Sequence, residues 1–167
     1  PLVPVLKSYW LMIHVAVITA SYSFFGISFL LGLLTLAFMS AGNPSKVALL
    51  QPHIRELRII NEISLHIGLY LLTAGIFLGA VWANESWGRY WGWDPKETWA
   101  LITMVVYAFI LHARFLPTLR SDYAFSVMSV LGLASVLMTY FGVNYYLSGL
   151  HSYGGGDTPP GLTAVFI

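Results

Sequence analysis

The sequence predicts an all-α integral membrane protein of about four transmembrane helices, and two observations predict it. Of 167 residues, 57% are hydrophobic and 9% charged, with a mean hydropathy of +0.74, whereas a soluble domain carries roughly 25% charged residues. The charges are also clustered, which leaves charge-free runs at 8–45, 63–84, 98–113 and 123–156. About 20 apolar residues cross a hydrocarbon core of about 30 Å, and lipid admits only elements that satisfy their own backbone. A formal net charge of +1 offers no basic face to nucleic acid. The absence of cysteine excludes disulfides, thiolate metal sites, a redox CxxC and self-attachment of a prosthetic group through CxxCH.

The spans read at about 11–39, 64–82, 98–115 and 124–147 in a single membrane domain, 1–167. The third is short, and Trp99 and Arg114 extend it into the headgroups. Four spans place both ends of the segment and the loop 83–97 on one side, and the loops 40–62 and 116–123 on the other. Lys46, Arg55, Arg58, Arg114 and Arg120 fall on the second side, against Lys7, Arg89 and Lys96 on the first, so the second side reads as cytoplasmic. The connector 44–62 reads as a membrane-surface segment in which Pro52 restarts a short helix, with His53 solvated. The tail 148–167 reads as an outer extension. Its Gly154-Gly155-Gly156 is no phosphate loop, since no strand precedes it and no Gly-Lys-Ser/Thr follows.

All six tryptophans (10, 82, 87, 91, 93 and 99) fall on the outer side. A belt that merely anchors would mark both interfaces. Residues 82–99, WANESWGRYWGWDPKETW, make an aromatic surface suited to a large, flat, apolar ligand, with Gly88 and Gly92 permitting close backbone approach. Asp94-Pro95 with Glu97 reads as the N-cap, first residue and capping partner of the next helix. Asp94 also stands where it would touch a ligand, and both readings stay open. Arg89 and Lys96 are either solvated or placed to neutralise acidic groups on a ligand.

His14 lies near the outer end of the first span and His151 follows the outer end of the fourth, so the topology brings both to the tryptophan loop. Two imidazoles approaching opposite faces of a porphyrin give six-coordinate iron. With no cysteine and no carboxylate-rich site, haem fits better than zinc or a binuclear metal. His66 reads as packed or near the inner headgroups. His112, roughly 20 Å below the outer interface, reads on its own as a polar group facing a protein interior or cavity.

The stretch at 82–115, with KSYWLMIHV at 7–15 and YFGVNYYLSGLHSYG at 140–154, resembles the CcsA (ResC) family of cytochrome c biogenesis proteins, the WWD haem-handling synthases of System II. The run Asp94-Pro95-Lys96-Glu97-Thr98-Trp99 continues in the CcsA manner. The resemblance implies a C-terminal portion of a larger synthase, of CcsA or of a fused CcsBA. It implies that His14 and His151 are external axial ligands of haem b and that Trp87, Trp91, Trp93 and Asp94 contact the ring. It makes His112 a ligand of an intramembrane haem, with the second ligand supplied by a partner. The implied partners are a CcsB/ResB-type subunit, an apocytochrome c carrying CxxCH, and the bilayer. The implied location is the bacterial cytoplasmic or thylakoid membrane, with the loop on the periplasmic or lumenal side. The implied activity is haem transport and holocytochrome c synthesis. A haem relay that forms no thioether and, more distantly, a haem-free channel or lipid-handling subunit stand as alternatives.

Overall fold

Lipid-facing helices gain nothing from burying large apolar side chains against one another, so they associate through small residues and interhelical hydrogen bonds. The computed structural model, which describes residues 8–40, 43–147 and 149–150, follows that rule. Helix α1 (Tyr9–Met39) buries Ser21, Phe25, Ser28, Gly32 and Thr35 and turns Ile27, Leu30, Leu33 and Leu34 outward. Helix α2 (Pro44–Trp87) buries Asn61, Leu65, Gly68, Leu72 and Gly75 on one seam, and Trp82 continues it. Both seams step by fours and threes, the heptad spacing of helices that cross at about 20°.

Three hydrogen bonds lock α1 to α2 in one antiparallel register. His14 Nδ1 lies 2.8 Å from the Gly75 carbonyl, Ser21 Oγ donates to the Gly68 carbonyl at 2.8 Å, and Ser28 Oγ donates to Asn61 Oδ1 at 2.6 Å. Each rung lies seven residues from the last on both helices. Asn61 extends the lowest rung to a third helix through Nδ2, which donates to Ser129 Oγ at 3.2 Å. Asn61 is buried, so both ends of its amide are satisfied inside the bundle. Replacing Asn61 by leucine is expected to cost about 1–2 kcal/mol, read as an earlier unfolding midpoint in a denaturing-detergent titration. An unchanged midpoint would show that the ladder does not hold the bundle.

Helix α3 (Pro95–His112), extended by a 3₁₀ turn at Ala113–Phe115, and helix α4 (Asp122–Leu137) complete the bundle. Helix α4 runs into a π-helical turn, Met138–Gly142, and a last turn, Val143–Tyr146. The four helical stretches Tyr9–Met39, Pro44–Trp87, Pro95–Phe115 and Asp122–Tyr146 are each long and apolar enough to cross a membrane. The chain is thus an all-α integral membrane protein, as the charge-free runs predict. Thr139 in the π turn lies 2.8 Å from the Thr103 hydroxyl and 3.1 Å from the Trp99 carbonyl, which ties the turn to α3.

Side-chain contacts fix which ends lie together. Ser8 Oγ donates to Glu85 at 2.8 Å, and the Leu150 N–H donates to Asp94 Oδ1 at 2.7 Å. The start of α1, the end of α2, the start of α3 and the end of the fourth span therefore share one end of the bundle. All six tryptophans gather there. At the opposite end, Arg58 pairs with Asp122 and Arg114 with Glu62.

Two expected boundaries move. Residues 44–62 do not form a separate connector with a helix restarting at Pro52; they are the first part of the unbroken, 44-residue α2. Proline removes one backbone donor and strains one turn. Here Pro52 is exposed while Ile54, two residues on, is fully buried, and the helix runs through the proline into its packed part. At the other end α2 continues to Trp87 and stops at Gly88, whose φ of 72° is left-handed and whose N–H returns to the Asn84 carbonyl at 2.8 Å. The irregular part of the expected 83–97 loop is therefore confined to 88–94.

Candidate functional site

The tryptophan end holds a cleft of about 260 Å³ whose walls come from α1, α2, α3, the π turn that follows α4, and the loop. Helix α1 supplies residues from Leu11 to Tyr22, so the cleft descends about 16 Å into the bundle. His14 stands in its wall next to Gly79 and Trp82, and Trp91 and Lys96 line the same cleft. The imidazole is placed by the top rung of the ladder. Because a carbonyl only accepts, Nδ1 carries the proton toward Gly75, and in neutral imidazole Nε2 then bears the lone pair. A histidine oriented through its other nitrogen by a backbone carbonyl is the usual arrangement of a metal ligand.

The space for that ring is made by glycine. A Cβ on Gly79 would stand 2.7 Å from His14 Cε1, and one on Gly75 would stand 2.5 Å from Ile18 Cδ1. Trp82, 1% exposed, lies nearly parallel to the imidazole, with an interplanar angle of 9° and ring centres 6.4 Å apart. Trp87 packs edge-on behind Trp82 at 4.9 Å. An aromatic column thus backs the histidine from within the bundle.

In the loop the tryptophans separate. Trp91 lines the cleft and meets Trp93 edge-on at 5.6 Å. Trp93 is 69% exposed and holds a φ of 57°, the one left-handed non-glycine residue among those described. That conformation costs about 1–2 kcal/mol. Glu97 over-determines it, because Glu97 Oε2 accepts the N–H groups of Gly92 and Asp94 on either side, at 2.7 and 3.2 Å.

Asp94 is buried and performs the expected cap: its carboxylate accepts the Lys96 N–H, and the reciprocal bond from Glu97 completes the capping box. It also accepts the Leu150 N–H, so one carboxylate joins the start of α3 to the chain leaving the fourth span. Arg89 is committed within the loop. It pairs with Glu97 at 3.5 Å, stands 5.9 Å above the Trp87 ring and rests directly on Gly92, where any Cβ would collide with its guanidinium. Gly88 and Gly92 therefore have reasons within the loop itself: a helix stop and a seat for Arg89.

Residues 1–151 match the family described as Cytochrome C assembly protein. The chain belongs to that family. It is 58% identical over 159 residues to Protein NrfI of Wolinella succinogenes, covering 95% of this chain and 18% of that protein. It is 42% identical over 176 residues to cytochrome c biogenesis protein CcsA of Guillardia theta, covering 92% of this chain and 57% of the relative. With CcsA of Chlamydomonas reinhardtii the figures are 43% over 156 residues, 92% and 43%. The resemblance read from the tryptophan loop is borne out. The chain spans less than two thirds of the length of each of these relatives.

In this cytochrome c assembly chain the remaining histidines do not join His14 in the described part of the cleft. His151 lies outside the described residues. His112 is the last residue of α3, at the end opposite the tryptophans. It is exposed on the bundle surface, with Nδ1 2.7 Å from the Ala108 carbonyl of its own helix. The sequence expectation that it faces an interior is not met within the described chain: it shares an exposed stripe with Ile102, Val105 and Phe109. His66 is half-buried, with Nδ1 2.8 Å from the Glu62 carbonyl.

Several residues in or directly behind the cleft carry a role that the sequence reading did not assign. Gly75 and Gly79 make a G-x-x-x-G within an apolar run, the motif of close helix approach, and that spacing was open to view. Tyr22, Thr139 and Tyr140 line the cleft with no comparable signal.

Proposed function

We propose that this chain is the part of a cytochrome c assembly protein that holds haem b at the tryptophan end and presents it for attachment to apocytochrome c. The observation that carries the reading is the His14 imidazole, fixed through Nδ1 on the wall of an aromatic cleft. The five basic residues grouped at the opposite end support reading the tryptophan end as the outer, periplasmic or lumenal face. Haem is cargo here, delivered from the other side with His112 as a ligand on the way. His112 is exposed beside Phe109, so the second ligand comes from a CcsB/ResB-type partner or a segment of the longer protein. At the outer face, His151 is the second axial ligand.

The chemistry asks little of this chain beyond position. Each cysteine thiol of a CxxCH segment adds across a haem vinyl: a C–S bond forms at one vinyl carbon, the thiol hydrogen goes to the other, and nothing is oxidised or reduced overall. Holding two reactants in register supplies several kcal/mol of such a barrier. His14, Trp82 and Trp91 orient the ring, and the histidine of CxxCH replaces one of the ligands as product forms.

The test is to purify the full-length protein carrying this chain from haem-replete cells and to co-express it with an apocytochrome. Expected are a six-coordinate haem spectrum that sharpens with dithionite and covalent haem on the cytochrome. His112→Ala is expected to lower the haem reaching the outer site. Bound haem without thioether formation would make the protein a relay, and a colourless protein would sink the haem reading altogether.

A further inference from the structure

The two basic residues flanking the tryptophan loop look alike in sequence and are treated differently by the fold. Arg89 is held by Glu97 and stacked over Trp87. Lys96, in the first turn of α3, lines the cleft that contains His14. Its ammonium meets a neutral acceptor, donating to Asn144 Oδ1 at 3.2 Å. Asn144 is itself oriented by a bond from Nδ2 to the Tyr140 carbonyl at 2.7 Å, so its oxygen is turned toward the lysine. The Asp94 carboxylate acts on the same charge, but its oxygens accept the backbone N–H groups of Lys96 and Leu150. Among the described residues no carboxylate forms an ion pair with Lys96.

An ammonium in a largely apolar cleft is stabilised most by an anion brought to it. Leu11, Val15, Ile18 and Ala100 supply the apolar walls, and His14 the ligating nitrogen. A guest that satisfies all three features is flat and apolar, binds an imidazole at its centre and carries a carboxylate at its edge. We infer that Lys96 is the anchor for a carboxylate of the bound tetrapyrrole, which fixes the rotation of the ring about the His14 axis. The inference rests on the haem reading above and assigns the edge of the ring that lies toward α3.

The test titrates haem b and haem b dimethyl ester, whose two carboxylates are masked, into the detergent-solubilised full-length protein stripped of haem. The readout is the low-spin absorption that depends on His14. The unaltered protein is expected to bind the free acid about tenfold more tightly than the ester, the scale of one charge-assisted hydrogen bond. Lys96→Gln should bind both with the affinity that the unaltered protein shows for the ester. Lys96→Arg should restore most of the preference. Ester binding retained by Lys96→Gln shows that the fold and His14 are intact. Equal binding of both probes by the unaltered protein, or a preference that survives in Lys96→Gln, overturns the anchor while leaving the haem reading standing. Failure of the unaltered protein to bind either probe removes both.

Discussion

Replacing His14 by alanine is expected to remove one axial nitrogen and leave the outer haem five-coordinate. The low-spin spectrum should give way to a high-spin one, and covalent cytochrome c output should fall by roughly tenfold or more, since even losing a group that only orients a ligand costs 10- to 100-fold. The change also opens a space the size of the lost ring between Gly79 and Trp82. Millimolar imidazole is therefore expected to enter it and to restore the spectrum in large part. A His14→Ala protein with an unaltered low-spin spectrum would take His14 out of the site.

A leucine at Gly79 is expected to produce the same spectral loss by the opposite means. Its Cβ alone would stand 2.7 Å from His14 Cε1, and the rest of the side chain claims the volume the imidazole occupies. The ring must rotate away and surrender its bond to the Gly75 carbonyl, and overpacking of this kind costs about 1–3 kcal/mol. Added imidazole should not rescue this variant, because the space is filled. The pair of variants thus separates a missing ligand from a displaced one. Rescue of Gly79→Leu by imidazole would show that glycine there serves helix pairing and does not make room for His14.

Much of this was legible in the residues. Charge-free runs reveal membrane spans because a charge within the hydrocarbon is costly whatever the tertiary context. The Asp94-Pro95-x-Glu97 cap is legible because it is local: donors and acceptors lie within four residues of one another. Other features were hidden for identifiable reasons. A tryptophan looks the same in sequence whether, like Trp82, it is 1% exposed or, like Trp93, it is 69% exposed, since the difference depends on which helix lies opposite. Hydropathy reads 44–62 as a connector because it registers Lys46, Arg55 and Arg58, while the packing of Ile54 keeps that stretch in α2. Lys96 and Arg89 diverge only once Glu97 has folded back toward Gly92.

The π turn at Met138–Gly142 decides where this chain can lose a residue from its fourth span. A wide turn of this kind is equivalent to one surplus residue in an α-helix. Each residue of an α-helix advances the chain by about 100°. Deleting Phe141 from the wide turn would therefore return it to α-helical geometry and leave Asn144 facing Lys96 much as before. The same deletion in the α-helical part of α4 would turn Asn144 by that angle relative to the residues before it, and the amide would leave Lys96. One side wall of the cleft thus depends on where along the fourth span a residue is lost as much as on which residue it is.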